Sequence, residues 1–205
     1  MHPTSEEYKT FIKKNSRKFY WTGNIILKDE TTIPFTNKDI LKGSGYIHRS
    51  CSGSSELEIG TVYAGEFGIS LFSNIDRYSL EDSKLVLFYN QELESKKIET
   101  IPMGIFDVTE ANRSKKILEL KGYDYMLRFD KNFPVTDTFG TAFELLTLSC
   151  EKCKVELGMT EEEVKSFVNG EEVLAIYQDH DIETYRDFIH YIASVSYTHL
   201  RAHET

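Results

Sequence analysis

Up to about residue 130, hydrophobic and polar positions alternate with a period of two in several stretches, the pattern of strands with one buried face. Leu57, Ile59 and Thr61 alternate with Glu58 and Gly60, Phe67, Ile69 and Leu71 with Gly68 and Ser70, and Leu118 and Leu120 with Glu119 and Lys121. Leu85 to Tyr89 is apolar at every position, which predicts a strand covered on both faces. Phe19 to Leu27 and Thr31 to Phe35 read as a strand pair across Asp29-Glu30, without the glycine that marks a tight hairpin. The Gly43-Ser44-Gly45 and Ser50 to Ser55 clusters predict loops around a strand at Tyr46 to Arg49. Many short strands of this kind suggest a barrel or sandwich.

Helical periodicity flanks that region. Thr4, with Glu7 three residues later, predicts a capped helix whose Tyr8, Phe11 and Ile12 share a face. After Asp130 the period changes: Thr141 to Cys153 places Phe143, Leu146, Cys150 and Cys153 on one stripe. Thr160 and Glu163 form a second capping box, leading a short helix toward Phe167. Val173 to Tyr177 reads as a strand, and Asp181 as the N-cap of a helix burying Ile182, Tyr185, Phe188, Ile189 and Ile192. The expected fold class is α+β. A helix over residues 1–17 precedes a mainly antiparallel, barrel-like β domain over 18–134, and a small, mainly helical domain follows over 135–194.

Residues 195–205, Val-Ser-Tyr-Thr-His-Leu-Arg-Ala-His-Glu-Thr, match one reading frame of a common transposase sequencing adapter. They are set aside from fold and function reasoning, with the expectation that the natural protein continues past Ser194 and that this segment packs against nothing essential.

Composition narrows the function classes. The net charge of −9 opposes tight non-specific binding to nucleic acid, which needs clustered Lys and Arg against the phosphates. No apolar run approaches the length of a membrane span, so no membrane insertion is expected of this stretch. The first residues lack the basic-then-apolar order of a secretory signal, which implies synthesis in the cytoplasm. Three cysteines do not read as a disulfide framework.

Candidate chemistry is thin. Cys150 and Cys153 form a CxxC, a spacing suited to zinc or redox work, but only the distant Cys51, His48 and His180 are available to complete a ligand set. Both cysteines also sit on an apolar stripe, where reduced thiols behave as small hydrophobes. Asp179-His180-Asp181 resembles a general-base assembly, yet three adjacent side chains seldom converge on one atom, and helix capping accounts for them. Asp76 with Asp82, and Glu56 with Glu58, are unremarkable in a chain with 33 carboxylates. The Ser50 to Ser55 run lacks the Gly-Lys-Ser/Thr ending of a phosphate loop. The reading therefore assigns no catalytic, cofactor-binding or metal residue and expects no cofactor.

The runs Phe67 to Leu71, Ser83 to Tyr89, Ile101 to Val108 and Leu120 to Met126 resemble the baseplate hub proteins of bacteriophage tails, of the kind found in prophages of Gram-positive bacteria. Gly140 to Leu146, Cys153 to Gly158 and Thr184 to Ala193 look like the family's inserted helical unit. In this likeness Pro102 and Gly104 punctuate a strand entry, and Tyr123 and Asp124 mark the exit from the barrel. The resemblance implies a virion structural protein, not an enzyme. Three copies would form a ring that continues the tail tube, contacts other tail proteins, holds a central spike or fibre, and leaves a channel that DNA crosses without specific binding. Two other readings stand beside it: a tail fibre or receptor-binding adaptor, and a cytoplasmic metal or redox protein using Cys150, Cys153 and His180.

Overall fold

The structure, a computed structural model, describes residues 3–50 and 63–202, with side chains described to residue 195. The predicted strand at Leu57 to Thr61 lies outside the described residues, as do Cys51, Glu56 and Glu58. The chain divides into two compact units, one ending its main part at Asp124 and the other beginning its main part at Tyr125.

The first unit is built on seven antiparallel strands: β1 (Lys18–Ile26), β2 (Thr32–Phe35), β3 (Tyr46–His48), β4 (Glu66–Phe72), β5 (Lys84–Glu92), β6 (Ile98–Ser114) and β7 (Ile117–Asp124). Their order across the sheet is β2-β1-β5-β6-β7-β4-β3. The alternation read from the sequence holds: Phe67, Ile69 and Leu71 on β4 and Leu118 and Leu120 on β7 are all buried. They join Ile25, Phe35, Leu85, Leu87 and Phe106 in one cluster. Residues from opposite ends of the strand order thus share one core, so the sheet curls around its own side chains.

The expected barrel is open, because β2 and β3 do not pair. Its seam is bridged by the chain that leaves β2. Ile40 forms an isolated bridge with Leu71, Phe72 N–H donates to Asp39 O at 2.7 Å and Leu41 N–H to Ser70 O at 2.8 Å. A cleft of about 150 Å³ between β2 residues Ile33 to Phe35 and β4 residues Leu71 and Phe72 marks the gap.

β6 is long enough to serve two partners because two irregularities bend it. Its first part pairs with β5, with a register shift opposite Leu87/Phe88 that leaves Met103 unmatched. Its second part pairs with β7, with a shift that leaves Thr109 unmatched. Such bulges raise local twist and let a sheet curl. The first bulge is next to Gly104, whose φ of 145° suits a residue without Cβ.

β5 is not covered on both faces. Leu85 and Leu87 point into the core, whereas Val86 and Phe88 are half-buried on the outside. Their cover comes from cross-strand neighbours on the same face, Ile105 beside Val86 and Pro102 beside Phe88. The end of β5 carries two buried amides. Asn90 donates to Thr22 Oγ1 at 2.9 Å and accepts from Thr100 Oγ1 at 2.7 Å, linking β1, β5 and β6. Gln91 donates to Lys18 O and Glu92 O, and its Oε1 accepts from the Tyr89 hydroxyl at 2.7 Å.

The opening helix α1 (Glu6–Phe11) is capped by Ser5, one residue later than predicted, with Ser5 Oγ accepting from Tyr8 N–H at 3.1 Å. Ser5 is the residue that reaches the sheet: its N–H donates to Glu99 Oε1 at 2.8 Å, and its hydroxyl bonds the same carboxylate. Glu7 accepts from Ser95 N–H at 2.9 Å, so the helix is tied to the β5–β6 hairpin.

The second unit holds β8 (Thr138–Thr141), α2 (Ala142–Cys153), α3 (Glu161–Lys165), β9 (Val173–Ile176) and α4 (Tyr185–Ala202). β8 and β9 form a two-stranded antiparallel ribbon. The predicted capping box of Thr160 with Glu163 opens α3, and α2 opens on one that was not predicted, Thr141 with Glu144. The buried stripe of α2 is rotated from the predicted one: Ala142, Leu145, Ser149, Cys150 and Cys153 are buried, with Phe143 and Leu146 at its margin. Asp181 is not the cap of α4. Thr184 takes that place, its Oγ1 accepting from Asp187 N–H at 3.2 Å while Asp187 accepts from Thr184 N–H at 2.9 Å. Ile182 therefore lies before the helix, yet still packs on the same core as Phe188 and Ile192.

Candidate assembly surfaces

The residues singled out for chemistry are placed where they do structural work. Cys150 and Cys153 are buried free thiols on α2, and burial, the leading cause for each, pushes both thiols up from their ordinary value. A raised thiol pKa lowers the thiolate fraction and with it metal binding and nucleophilicity. His48 is on β3 of the sheet unit, and the cysteine pair is on α2 of the other unit. Among the described residues, no three His, Cys, Asp or Glu side chains come together as a metal site.

His180 belongs to a turn. Its Nδ1 accepts from Ile182 N–H at 3.1 Å and its ring leans on Phe133 at 5.4 Å, while Nε2 is buried without a hydrogen-bond partner among the described residues. Its neighbours Asp179 and Asp181 are exposed. Phe133 in turn packs against Phe188 and Tyr185, which makes His180 part of an aromatic cluster. The other paired acids are similarly employed. Asp76 Oδ1 accepts from Tyr78 N–H at 3.1 Å, capping a 3-10 turn at Arg77–Leu80, and Asp82 pairs with Lys28 at 2.6 Å.

A shallow groove of about 500 Å³ lies between that turn and the second bulge of β6, lined by Arg77, Tyr78, Leu80, Asp82, Val108 and Thr109 among others. Arg77 is occupied by its neighbour, donating to the Tyr78 hydroxyl at 2.7 Å with the guanidinium 4.7 Å from the ring centre. The groove therefore offers one stacked cation, Arg77, and two carboxylates, Glu81 and the Lys28-paired Asp82.

The surfaces suited to assembly are the strand edges and the outer face of the sheet. β2 and β3 end the strand order and each has an edge without a ladder partner among the described residues. Unpaired edges present backbone donors and acceptors to another chain. On the outer face, Ile105 is 44% exposed beside Val86, with Pro102 and Phe88 paired next along the strands, and Ile98, at the start of β6 opposite Glu92, is 55% exposed. At the β3 edge the Tyr46 ring lies over Gly68, where a Cβ would come within 2.2 Å of it. Tyr46 donates to Glu66 Oε1 at 2.6 Å, and that bond, with burial second, pushes its phenol up to about 12.

β7 ends at Asp124, which agrees with the exit expected at Tyr123 and Asp124, although the Tyr123 ring is only half-buried. The outer-face band was not legible in the sequence, because Val86 and Phe88 on β5 and Pro102 and Ile105 on β6 become neighbours only when the two strands pair. Among the described residues, no helix is long and apolar enough to cross a membrane.

No protein-family model matches the chain, and no curated protein matches it. Among solved structures, a chain of the virion of a native gene transfer agent particle aligns with 63% of this chain and 48% of its own length, at 8% identity and a TM-score of 0.41. The present chain thus spans about half the length of that protein. A likeness at this level carries no functional argument.

Proposed function

We propose that this chain is a structural subunit of a phage tail baseplate hub, present in the virion as a homotrimer in contact with other tail proteins. The observation that carries the reading is the position of the hub-like residue runs. Phe67 to Leu71 falls on β4, the Ser83 to Tyr89 run on β5 from Lys84, Ile101 to Val108 on β6 and the Leu120 to Met126 run on β7 as far as Asp124, and these strands are successive neighbours in one sheet. That sheet is curled around Phe67, Phe106, Leu85 and Leu120, so its interior is filled by side chains and its working surface is the outside.

A ring of three copies needs two different patches on each subunit, one meeting the other on the next copy. The edges of β2 and β3 supply backbone groups for such a contact, and Ile98 and Ile105 supply apolar area. Burying one such side chain contributes about 1.5–3 kcal/mol. The ring continues the tail tube, holds the spike or fibre, and turns carboxylates of this −9 chain toward the channel, where they keep passing DNA from adhering.

Mass photometry of the full-length gene product tests the assembly directly. A trimer is expected, and Ile105→Asp, which places a charge on the exposed outer face, should shift it toward monomer while leaving the circular dichroism spectrum unchanged. A product that remains a monomer across the micromolar range contradicts the reading.

A further inference from the structure

The β8–β9 ribbon in the second unit has the wrong outer face for a sheet that meets only water. Its inner face is ordinary: Leu174 and Ile176 are buried in the helical core. The register pairs Phe139 with Ala175 and Thr141 with Val173, so these four share the opposite face, and Tyr177 follows on the same side by the period of two. Antiparallel sheets usually place polar residues on a solvated face. Here Phe139, Val173 and Tyr177 are 55%, 68% and 59% exposed. The two rings meet edge to face, with centroids 5.7 Å apart. Val135, just before β8, is also exposed.

The rim of this face has one sign. Residues 135–141 and 171–179 contain Asp137, Glu171, Glu172 and Asp179 and no lysine or arginine. Asp137 is fixed in place by accepting from Gln178 N–H at 2.8 Å. Lys165 is close enough to Glu171 to feel its charge, but it is already paired with Glu161 at 2.7 Å. The face is therefore apolar and aromatic at its centre and negative around it.

We infer that the outer face of the β8–β9 ribbon docks a segment of another protein that presents apolar side chains flanked by lysine or arginine. Charge decides among occupants. A second copy bringing the same face would press one negative rim against another, and like charges across an interface oppose association. Nucleic acid and anionic lipid are repelled for the same reason. A basic segment gains twice, by pairing with the rim and by placing a cation over the Tyr177 or Phe139 ring. This inference is independent of the hub reading, since it concerns only the second unit.

The test is an anisotropy titration of the whole chain with a fluorescein-labelled octapeptide whose Val-Phe-Val-Ile centre lies between two lysine pairs. Saturable binding is expected, weakened at least about tenfold by the double change Phe139→Ser and Val173→Ser and, separately, by Glu171→Lys with Glu172→Lys. All four positions are exposed, so circular dichroism should confirm that the variants remain folded. The inference is overturned if the octapeptide fails to bind, if it binds both variants as well as the parent, or if a glutamate-flanked version binds equally. It is also overturned if Val173→Ser lowers the mass of a self-associated species, since the occupant is then a second copy.

Discussion

The backbone N–H of Phe72, the last residue of β4, donates to the carbonyl of Asp39 at 2.7 Å, and this bond fastens the chain leaving β2 across the seam of the sheet. Asp39 is held for that role by its own side chain, which accepts from Thr36 N–H at 2.8 Å and Thr36 Oγ1 at 2.9 Å. Asp39→Ala should therefore loosen the seam and destabilise the sheet unit by about 1 kcal/mol, the usual net value of such bonds. Urea unfolding followed by tryptophan fluorescence measures it.

The same carboxylate sets a pH dependence. The backbone N–H of Thr36, followed by its hydroxyl, holds Asp39 below the usual carboxylate range. A group whose pKa is depressed on folding stabilises above its unfolded value, and that stability is lost as pH falls through the folded value. Melting temperature should fall on acidification more steeply in the parent than in Asp39→Ala, and equal slopes would remove Asp39 from the account. The residue is only half-buried, so solvent screens its carboxylate and the difference is small.

Asn90 carries a larger load because it is buried and joins three strands. Asn90→Ala leaves the hydroxyls of Thr22 and Thr100 without their shared partner and should cost about 1–3 kcal/mol. Adding Thr22→Val and Thr100→Val should recover part of the loss, since unpaired polar groups are then removed with their partner. A triple variant no more stable than Asn90→Ala would show that the amide works by packing alone.

Much of the sheet was legible because burial follows the period of two at Phe67, Ile69 and Leu71 and at Leu118 and Leu120. Its turns were harder to read. The hairpins after β1, β5 and β6 use Glu30, Lys96 and Lys115 at positive φ in place of glycine or asparagine. The length of β6 was hidden by its bulges at Met103 and Thr109, which break any simple alternation. In the second unit, Thr184 outcompeted Asp181 as a cap because Asp187 lies three residues on and returns a bond to it. The stripe of α2 was read about one position off, because a helix of 12 residues buries a broad face on which Phe143 and Leu145 are hard to rank. The residues of the candidate surfaces were harder to read, since the outer-face band and the β8–β9 face each depend on which strands pair and in what register.

The thiols on α2 should be inert while the chain is folded. In a Cys51→Ser variant, Ellman's reagent should modify Cys150 and Cys153 only at the rate of unfolding, and elemental analysis should find no stoichiometric zinc. Fast modification of either thiol in native buffer, or one zinc per chain, would restore the metal or redox reading.

The adapter-like tail meets the fold at its first residue. Val195 packs against the helical core and its carbonyl accepts from Asn169 Nδ2 at 3.0 Å, so the expectation that nothing from Val195 onward matters is too broad. Truncation after Val195 should leave the melting temperature within error, whereas truncation after Ser194 should lower it by a few degrees, in line with about 1 kcal/mol in a small unit. A large drop on removing only 196–205 would contradict the adapter origin of that segment.

The central claim is a place in the virion, and cryo-electron microscopy of tails assembled with the full-length gene product tests it most directly. The account predicts three copies around the tail axis at the tube terminus, with the edges of β2 or β3 and the face bearing Ile98 and Ile105 buried between neighbours. Density for this chain only at peripheral fibres, or particles that lack it altogether, would contradict the hub assignment.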